Sequence, residues 1–374
     1  MLQSGDSEII ESETAPTEDR GEYSTALCNV TDRLGPRQVA LHCPLGIGTP
    51  AERDRYRVHV FRHHSLAENN IFQVYCTQRD QRVGWCLPIA ALGSTEHSHA
   101  DNEHFLPYVR GATRRILDPS TPILVPDVPD LDDRDTSLVS SCFSDNCVLI
   151  ILSCDVIEEQ DEELSHWLPA LHAHGYAPAT PNNLLTVDFG EKPSGIRLNL
   201  DCISDDLADH AFVRALFTDL IPAEPNAILR FFYYYQLVEI LMEMVLTSSH
   251  ESLAQELVNA KGDYLQIKGL LKRFSQLASE TNVLADLATK HLQNVDDLSH
   301  LRTACNDLAI SCGRRKESTW WRALYQVRNI VFHNYREIND TLLIEQVVRA
   351  LTQAIPSLTS GFSKDATSNP PEDG

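Results

Sequence analysis

The feature that most constrains the fold is an uninterrupted apolar run, CVLIILSC, from Cys147 to Cys154. It has the length of a strand, and its Val, Leu and Ile residues favour β-structure. Because polar and apolar residues do not alternate along it, the run predicts a strand that is buried on both faces. The N-terminal half of the chain should therefore contain a substantial sheet.

Further segments of this half predict the neighbouring elements of the sheet. Short runs rich in β-branched and aromatic residues, separated by Gly, Pro, Asn and charged breaks, predict strands. Amphipathic segments predict helices over Phe105–Ile116 and Glu162–His174, and residues 118–135, rich in Pro and Asp, predict an extended surface segment. The predicted strands are Gln38–Cys43, Tyr56–Phe61, Ile71–Cys76, Arg82–Leu87, Leu184–Phe189 and Ile196–Cys202.

The C-terminal half predicts only helices. Pro222 and Pro225 indicate a boundary near residues 210–224, after a helix over Asp205–Leu220. Asn339 or Asp340 is expected to cap the last helix, which should end at about Ile355. The preceding predicted helices are the strongly apolar Ala227–Leu246, then Ser252–Ser279, Asn282–Gln293, Asp296–Cys312 and the segment Trp320–Tyr335.

The predicted fold class is α+β: a mixed α/β sheet domain over residues 25–210, followed by an all-α helical bundle over 211–357. The acidic residues 1–24 and the polar residues 358–374 are predicted to be disordered. No apolar run is long enough to cross a membrane, and the N-terminus lacks a signal-peptide pattern. Ten Cys without paired spacing fit a reducing compartment, so we expect a cytoplasmic protein.

Neither a metal site nor a cofactor site is predicted. His97, His99 and His104 are close in sequence, but their spacing matches no regular zinc site and no Cys lies nearby. The chain has no P-loop lysine motif, no GxSxG elbow and no HExxH motif. We therefore expect chemistry that depends on the side chains alone.

Such chemistry is indicated by the segment WWRALYQVRNIVFHNY, Trp320 to Tyr335, whose apolar residues recur at helical spacing. It contains Arg328, Asn329 and His333. A permanently charged guanidinium and an imidazole that titrates near neutral pH suit phosphodiester cleavage. The first can stabilise negative charge on a phosphorane, and the second can move a proton.

The spacing Arg-x4-His is weak evidence alone, because about one match is expected by chance in a chain of this composition. Arg37 and His42 provide such a match in a predicted strand. An Asn directly after the Arg lowers the chance expectation to roughly a few in a hundred. The pair on the predicted helix is therefore the better candidate.

A second notable segment is the upstream run FFYYYQLVE, from Phe231 to Glu239. Together with the Arg-Asn-x3-His helix, it resembles the HEPN superfamily, in particular ApeA-like members. The resemblance covers roughly residues 220–357. It implies a metal-independent ribonuclease in which Arg328, Asn329 and His333 are catalytic, in a cleft shared by two copies of the chain. By analogy, Glu239 would orient the Arg or the His. It also implies a toxin-like effector of anti-phage abortive infection, activated by a phage-derived trigger or a regulatory protein.

A net charge of −22 argues against nonspecific nucleic-acid binding over the whole surface. The stretch His300 to Arg336 differs, with seven Lys or Arg against two acidic residues. A local basic surface on an acidic protein can still bind RNA selectively. The residues predicted to contact RNA are Arg314, Arg315, Lys316, Arg322 and Arg336.

Two other functions are compatible with the sequence. In one, the protein is a non-enzymatic adaptor whose bundle dimerises and whose sheet binds a protein partner. In the other, Arg328 and His333 bind the phosphate of a nucleotide without cleaving it. Structural HEPN-like domains without activity would fit either alternative.

Overall fold

The computed structural model describes residues 24–32, 35–118, 137–157, 164–179, 190, 193, 195–277, 279–292 and 298–363. The expectations for residues 1–23, 119–135, Leu184–Phe189 and 364–374 lie outside these ranges. The chain divides into two compact units. The sheet unit comprises Met1–Cys202 and Phe217–Ala223, and the helical unit comprises Ile203–Leu216 and Glu224–Gly374.

The sheet unit contains a six-stranded mixed sheet. Its strands are β3 (Tyr56–Arg62), β4 (Phe72–Cys76), β5 (Gln81–Pro88), β7 (Cys147–Ser153), β8 (Ala177–Pro178) and β9 (Arg197–Leu200). β7 pairs with β3 on one side and with β5 on the other. The strand order is β8-β3-β7-β5-β4-β9, in which β9 runs parallel to β4 and the other pairs are antiparallel.

Both faces of this sheet are covered, as the apolar run predicted. On one face Leu149 and Ile151 of β7 belong to a core that includes α2 (Leu106–Ile116). On the other, Val148 and Ile150 pack with Trp167 and with α3 (Leu168–Ala173). All seven residues of β7 are buried, which confirms the prediction. Phe105–Ile116 was predicted correctly, whereas the described part of the predicted helix Glu162–His174, from residue 164 on, contains a 3-10 turn, Ser165–Trp167, followed by α3.

A second, three-stranded sheet contains the first two strands of the unit and a short strand that lies between β5 and β7 in sequence. Its strand β1 (Ser24–Asp32) pairs antiparallel with β2 (Gly35–Cys43), and the short β6 (Ser137–Leu138) runs parallel to β2. The sequence predicted β2 but missed β1, because the residues STALCNVTD are too polar to indicate a strand without their partner. A short helix, α1 (Pro50–Asp54), follows β2 and is closed by a capping box from Thr49 and Glu52.

The helical unit is formed mainly by long helices. α4 (Asp205–Ala208) and α5 (Ala211–Ala215) open it, and α6 (Ile221–Ala223) belongs to the sheet unit. The predicted single helix Asp205–Leu220 is thus broken, and Leu216–Leu220 forms a π-helical turn. The remaining helices are α7 (Ala227–Asn259), α8 (Tyr264–Leu277), α9 (Glu280–Asp286), α10 (Ser299–Ser311), α11 (Trp320–His333) and α12 (Thr341–Ser360).

α7 is longer than predicted, with 33 residues. The sequence suggested an end at Leu246 and a new helix from Ser252, but the intervening TSSHE segment contains neither Gly nor Pro and continues the helix. The break comes at Lys261 and Gly262, where φ is +23° and +94°. Glycine adopts the left-handed region without a steric penalty, so the chain turns there and begins α8.

α12 also extends beyond its predicted end. Asp340 caps it as expected, its carboxylate accepting a hydrogen bond from the backbone N–H of Leu342. The helix runs to Ser360 rather than Ile355, and Leu358 and Phe362 are buried. The predicted disordered tail from residue 358 therefore begins too early, because these apolar side chains contribute to the core.

The core of the helical unit lies along α7. α12 packs against α7, α10 packs against both α11 and α12, and α9 contacts α7 and α11. Buried side chains of α7 include Phe231, Tyr234, Tyr235 and Leu241. Among the helices in the described ranges, none has the length and apolarity needed to cross a membrane.

The close pairing of β5 with β7 predicts a steric requirement at Gly84. A Cβ atom there would meet the backbone carbonyl of Ile151. We expect Gly84→Ala to lower the free energy of unfolding by about 1–3 kcal/mol, because the strands must move apart. Denaturant unfolding monitored by tryptophan fluorescence measures this.

Gly269→Ala is the matched control for this change. It adds the same methyl group on α8, where nothing lies within 4 Å. Because alanine favours a helix over glycine, this variant should gain about 0.5–1 kcal/mol. Equal stability of Gly84→Ala and wild type would contradict the close approach of the two strands.

Candidate functional site

The helix that carries the Arg-Asn-x3-His motif forms as predicted, but it ends at His333 rather than Tyr335. Its buried side chains, at helical spacing, face the core of the helical unit. They are Trp321, Ala323, Leu324, Val327, Ile330 and Val331. Asn334 follows as the C-terminal cap residue, so His333 lies in the last turn of α11.

α10 and α11 run in the same direction, because the loop between them returns along α10. The side chain of Asn306 makes two hydrogen bonds with the backbone of Glu317. Its Nδ2 donates to the carbonyl oxygen at 3.0 Å, and its Oδ1 accepts from the N–H at 2.8 Å. Arg302, near the start of α10, donates to the carbonyl oxygen of Ser318 at 3.0 Å. The start of α11 is thereby held beside the first half of α10.

This arrangement puts the five predicted RNA-contacting residues in three places. Arg314, just after α10, forms an ion pair with Glu337 at 2.8 Å, which brings it to the end of α11 where His333 lies and where Arg336 follows in a 3-10 turn. Arg322 lies in the first turn of α11, about 16 Å from His333 along the axis. Arg315 and Lys316 are exposed in the returning loop. The structure thus brings Arg314 and Arg336, but not Arg322, to the His333 end of the helix.

Arg328 is held between two carboxylates from other helices. Its Nη2 lies 3.2 Å from Oε1 of Glu280 at the start of α9 and 3.8 Å from Oε1 of Glu239 on α7. Its side chain is only 18% exposed, so its charge needs partners. Of the two carboxylates, Glu239 is the one named from the sequence, and its contact with the guanidinium is the longer. Glu280 was not identified from the sequence, because nothing local indicates which helix faces Arg328.

Aromatic side chains complete the surroundings of the guanidinium. Its central carbon lies 5.0 Å from the ring centre of Phe332, 5.8 Å from Tyr235 and 6.0 Å from Tyr325. The Tyr325 hydroxyl donates to Glu280 at 3.3 Å. Two buried polar atoms here have no hydrogen-bond partner among the described residues. They are Nε of Arg328 and the hydroxyl oxygen of Tyr235. Burial also raises the pKa of the Tyr235 phenol, so it stays protonated.

The pKa of Glu239 is raised above its ordinary value of 4.5. Burial has the largest effect, because it disfavours the carboxylate. The charge of Arg328 and the hydrogen bond from Gln236 act in the opposite direction, and the charge of Glu280 adds to the upward shift. One arginine facing two glutamates has a local charge of −1 when both are ionised, so protonation of Glu239 neutralises the cluster.

The other two motif residues have different environments. The side-chain oxygen of Asn329 accepts a hydrogen bond from Nη1 of Arg328 at 3.2 Å. His333 is exposed. His333 is five positions after Arg328, which corresponds to about 7.5 Å along the axis and about 140° of rotation. Arg328 therefore faces α7 and α9, whereas the imidazole faces solvent at the end of the helix.

Two of the three clustered histidines of the sheet unit, His97 and His99, pack against aromatic rings, and His104 is exposed. His97 hydrogen-bonds the carbonyl oxygen of Ala91 at 3.2 Å and packs edge-on against Phe105. His99 packs against Trp85, and its pKa is lowered by burial and by the neighbouring His97. Within the described ranges, no group of three or more His, Cys, Asp or Glu side chains could hold a metal ion.

No family model matches the chain, and no curated protein or solved structure matches it. The assignment of this site therefore depends on its geometry.

Tyr234 and Tyr235 provide a matched pair for testing the cluster. Both are fully buried, but the Tyr234 hydroxyl is 2.6 Å from the Thr352 hydroxyl, while that of Tyr235 has no partner among the described residues. Tyr234→Phe should lose about 1 kcal/mol of unfolding free energy, and Tyr235→Phe should lose less or gain, because removing an unsatisfied group is not costly. Equal losses in thermal unfolding would show that the Tyr235 hydroxyl is also bonded.

The raised pKa of Glu239 predicts a pH dependence of stability. Since the folded state favours the protonated carboxyl, the contribution of Glu239 is greatest below pH 4.5 and falls as the pH rises towards its folded pKa. Wild type should therefore lose stability relative to Glu239→Gln over this range. Denaturant unfolding at a series of pH values measures the difference. A constant difference would contradict the shift.

Proposed function

We propose that the helical unit is a metal-independent endoribonuclease of the HEPN type, with Arg328, Asn329 and His333 in its active site. The observation that carries the proposal is the concentration of groups at one end of α11. There an exposed imidazole lies at the same helix end as the cations of Arg314 and Arg336, and Arg328 lies on the same helix. These are the types of group that bind and cleave a phosphodiester.

In the proposed reaction the RNA 2′-oxygen attacks the adjacent phosphorus and the bond to the 5′-oxygen breaks. His333 takes the proton of the 2′-hydroxyl or supplies one to the leaving oxygen. Arg328 stabilises the charge of the phosphorane. The products are a 2′,3′-cyclic phosphate and a 5′-hydroxyl, and no step requires a metal or a cofactor.

A second copy of the chain would complete the site. Arg328 faces inward between two carboxylates, while His333 faces solvent. One copy thus offers an accessible base and acid but a neutralised cation. In a homodimer that apposes two such helices, the site would contain two imidazoles and two guanidiniums, and protonation of Glu239 would release part of the charge of Arg328.

The biological setting follows from the resemblance. We propose a toxin-like effector of anti-phage abortive infection that acts in the cytoplasm. In this scheme the sheet unit restrains the nuclease or responds to a phage-derived trigger or regulatory protein. Control of this kind is needed because a ribonuclease that acts without selectivity damages its own cell.

The second candidate is a non-enzymatic adaptor that uses the bundle for dimerisation and the sheet for partner binding. The pairing of Arg328 with Glu239 and Glu280 favours it, because such pairs also hold helices together without any catalytic role. If Arg328 and His333 bound a nucleotide, its phosphate would be repelled by the carboxylates of Glu239 and Glu280. No separate observation supports this role.

Cleavage of RNA in EDTA by the purified full chain tests the nuclease. We expect wild type to leave cyclic-phosphate ends. Arg328→Ala and His333→Ala should each reduce the rate at least about 100-fold, because each removes transition-state stabilisation or proton transfer. Arg328→Lys should remain strongly impaired, since lysine lacks the planar pair of donors.

Arg37→Ala and His42→Ala are the controls, since this pair has the same spacing on β2. Both variants should retain wild-type activity. Activity that survives loss of Arg328 and His333 would reject the assigned site. If wild type cleaves no RNA and is nevertheless a dimer in solution, the adaptor is the better interpretation.

A further inference from the structure

A cavity of about 680 Å³ lies in the helical unit between α7, α8, α9 and the π-helical turn that follows α9. It has no role in the proposed nuclease. Its size is that of pockets that bind small organic molecules. Hydrogen-bonding side chains converge on it from all four elements: Ser248 and Ser252, Arg273, Asn282, Lys290 and His291.

The serines occupy one face of α7. Ser248 and Ser252 are four residues apart and therefore lie one turn apart on the same side of the helix, with Ser249 next to them. Hydroxyl groups both donate and accept hydrogen bonds, as does the side-chain amide of Asn282 on the opposite wall. Such a wall suits a ligand with several hydroxyl groups.

Positive charge is contributed by two other elements. Arg273 on α8 forms an ion pair with Glu256 at 2.7 Å, and Lys290 forms one with Asp286 at 2.8 Å. Of the two acidic partners, only Asp286 also lines the cavity. Among the described residues, the lining thus has two cations and one carboxylate, and the carboxylate that pairs with Arg273 lies outside it.

His291 is fixed at the end of the cavity. It is buried, and its Nδ1 lies 2.9 Å from the carbonyl oxygen of Ser363. A carbonyl can only accept, so Nδ1 carries the proton, and Nε2 is the acceptor in the neutral ring. The ring also stacks on Phe362, with 6.4 Å between centres. The imidazole is therefore held in place by the end of the chain segment that follows α12.

We propose that this cavity binds a small phosphorylated sugar, with the phosphate between Arg273 and Lys290 and the sugar hydroxyls on the serines and Asn282. Among the residues that the structure describes, the lining includes no Phe, Tyr or Trp, and its apolar part is Leu253, Leu277 and Ala285. Nucleotides are commonly bound by stacking of the base on an aromatic ring, so this wall favours a sugar phosphate over a nucleotide.

Isothermal titration of the full chain with glucose 6-phosphate tests the proposal, with glucose, inorganic phosphate and AMP as comparisons. We expect saturable binding of the sugar phosphate that is at least tenfold tighter than that of glucose or AMP. Arg273→Met and Lys290→Met should each weaken it at least tenfold. Asp286→Asn should tighten it, because it removes the one carboxylate of the lining.

Arg349→Met is the control, since it removes an exposed arginine of α12 outside the cavity. It should leave the affinity unchanged. Thermal unfolding confirms that each variant is folded before titration. Absence of saturable binding by wild type, equal binding of glucose, or an equal effect of Arg349→Met would overturn the proposal. Tighter binding of AMP than of the sugar phosphate would overturn the assignment of ligand class.

Discussion

A cation that loses most of its contact with water must be neutralised by the protein, and in the helical unit this requirement applies to Arg328. Its guanidinium faces Glu239 on α7 and Glu280 on α9, within a wall of aromatic rings. Three helices are thereby held at one point. The same contacts determine how the motif can act, because a phosphate that approaches Arg328 competes with two carboxylates for one charge.

Local pattern predicted most of the individual elements. The apolar run at β7 indicated a strand covered on both sides, and the helical spacing of the motif segment indicated α11. The pattern failed where the decisive contact is distant in sequence. β1 was missed because its polar composition does not indicate a strand without its pairing with β2, and α7 was predicted too short because polar residues near Ser248 do not end a helix. Glu280 could not be found, since no local feature shows that α9 faces α11.

The loop after α10 explains why the basic residues of this stretch do not all lie at one end of α11. Arg314, Arg322 and Arg336 follow one another within a short stretch of the chain. The return of the loop along α10 puts Arg314 and Arg336 at one end of α11 and Arg322 at the other. The short helix α9 contributes to two features of the helical unit. Its Glu280 contacts Arg328, while its Asn282 and Asp286 line the cavity.

The strand order of the main sheet has a consequence for synthesis on the ribosome. β4 and β5 are adjacent in sequence and can pair as soon as both emerge. β9, the parallel neighbour of β4, ends 124 residues after Cys76, the last residue of β4 (200 − 76). At about 5–20 residues per second, one edge of β4 waits roughly 6–25 s for its partner. During that interval the nascent chain exposes the unpaired backbone N–H and C=O groups along one edge of β4. A chaperone, or another nascent chain, can bind to this edge.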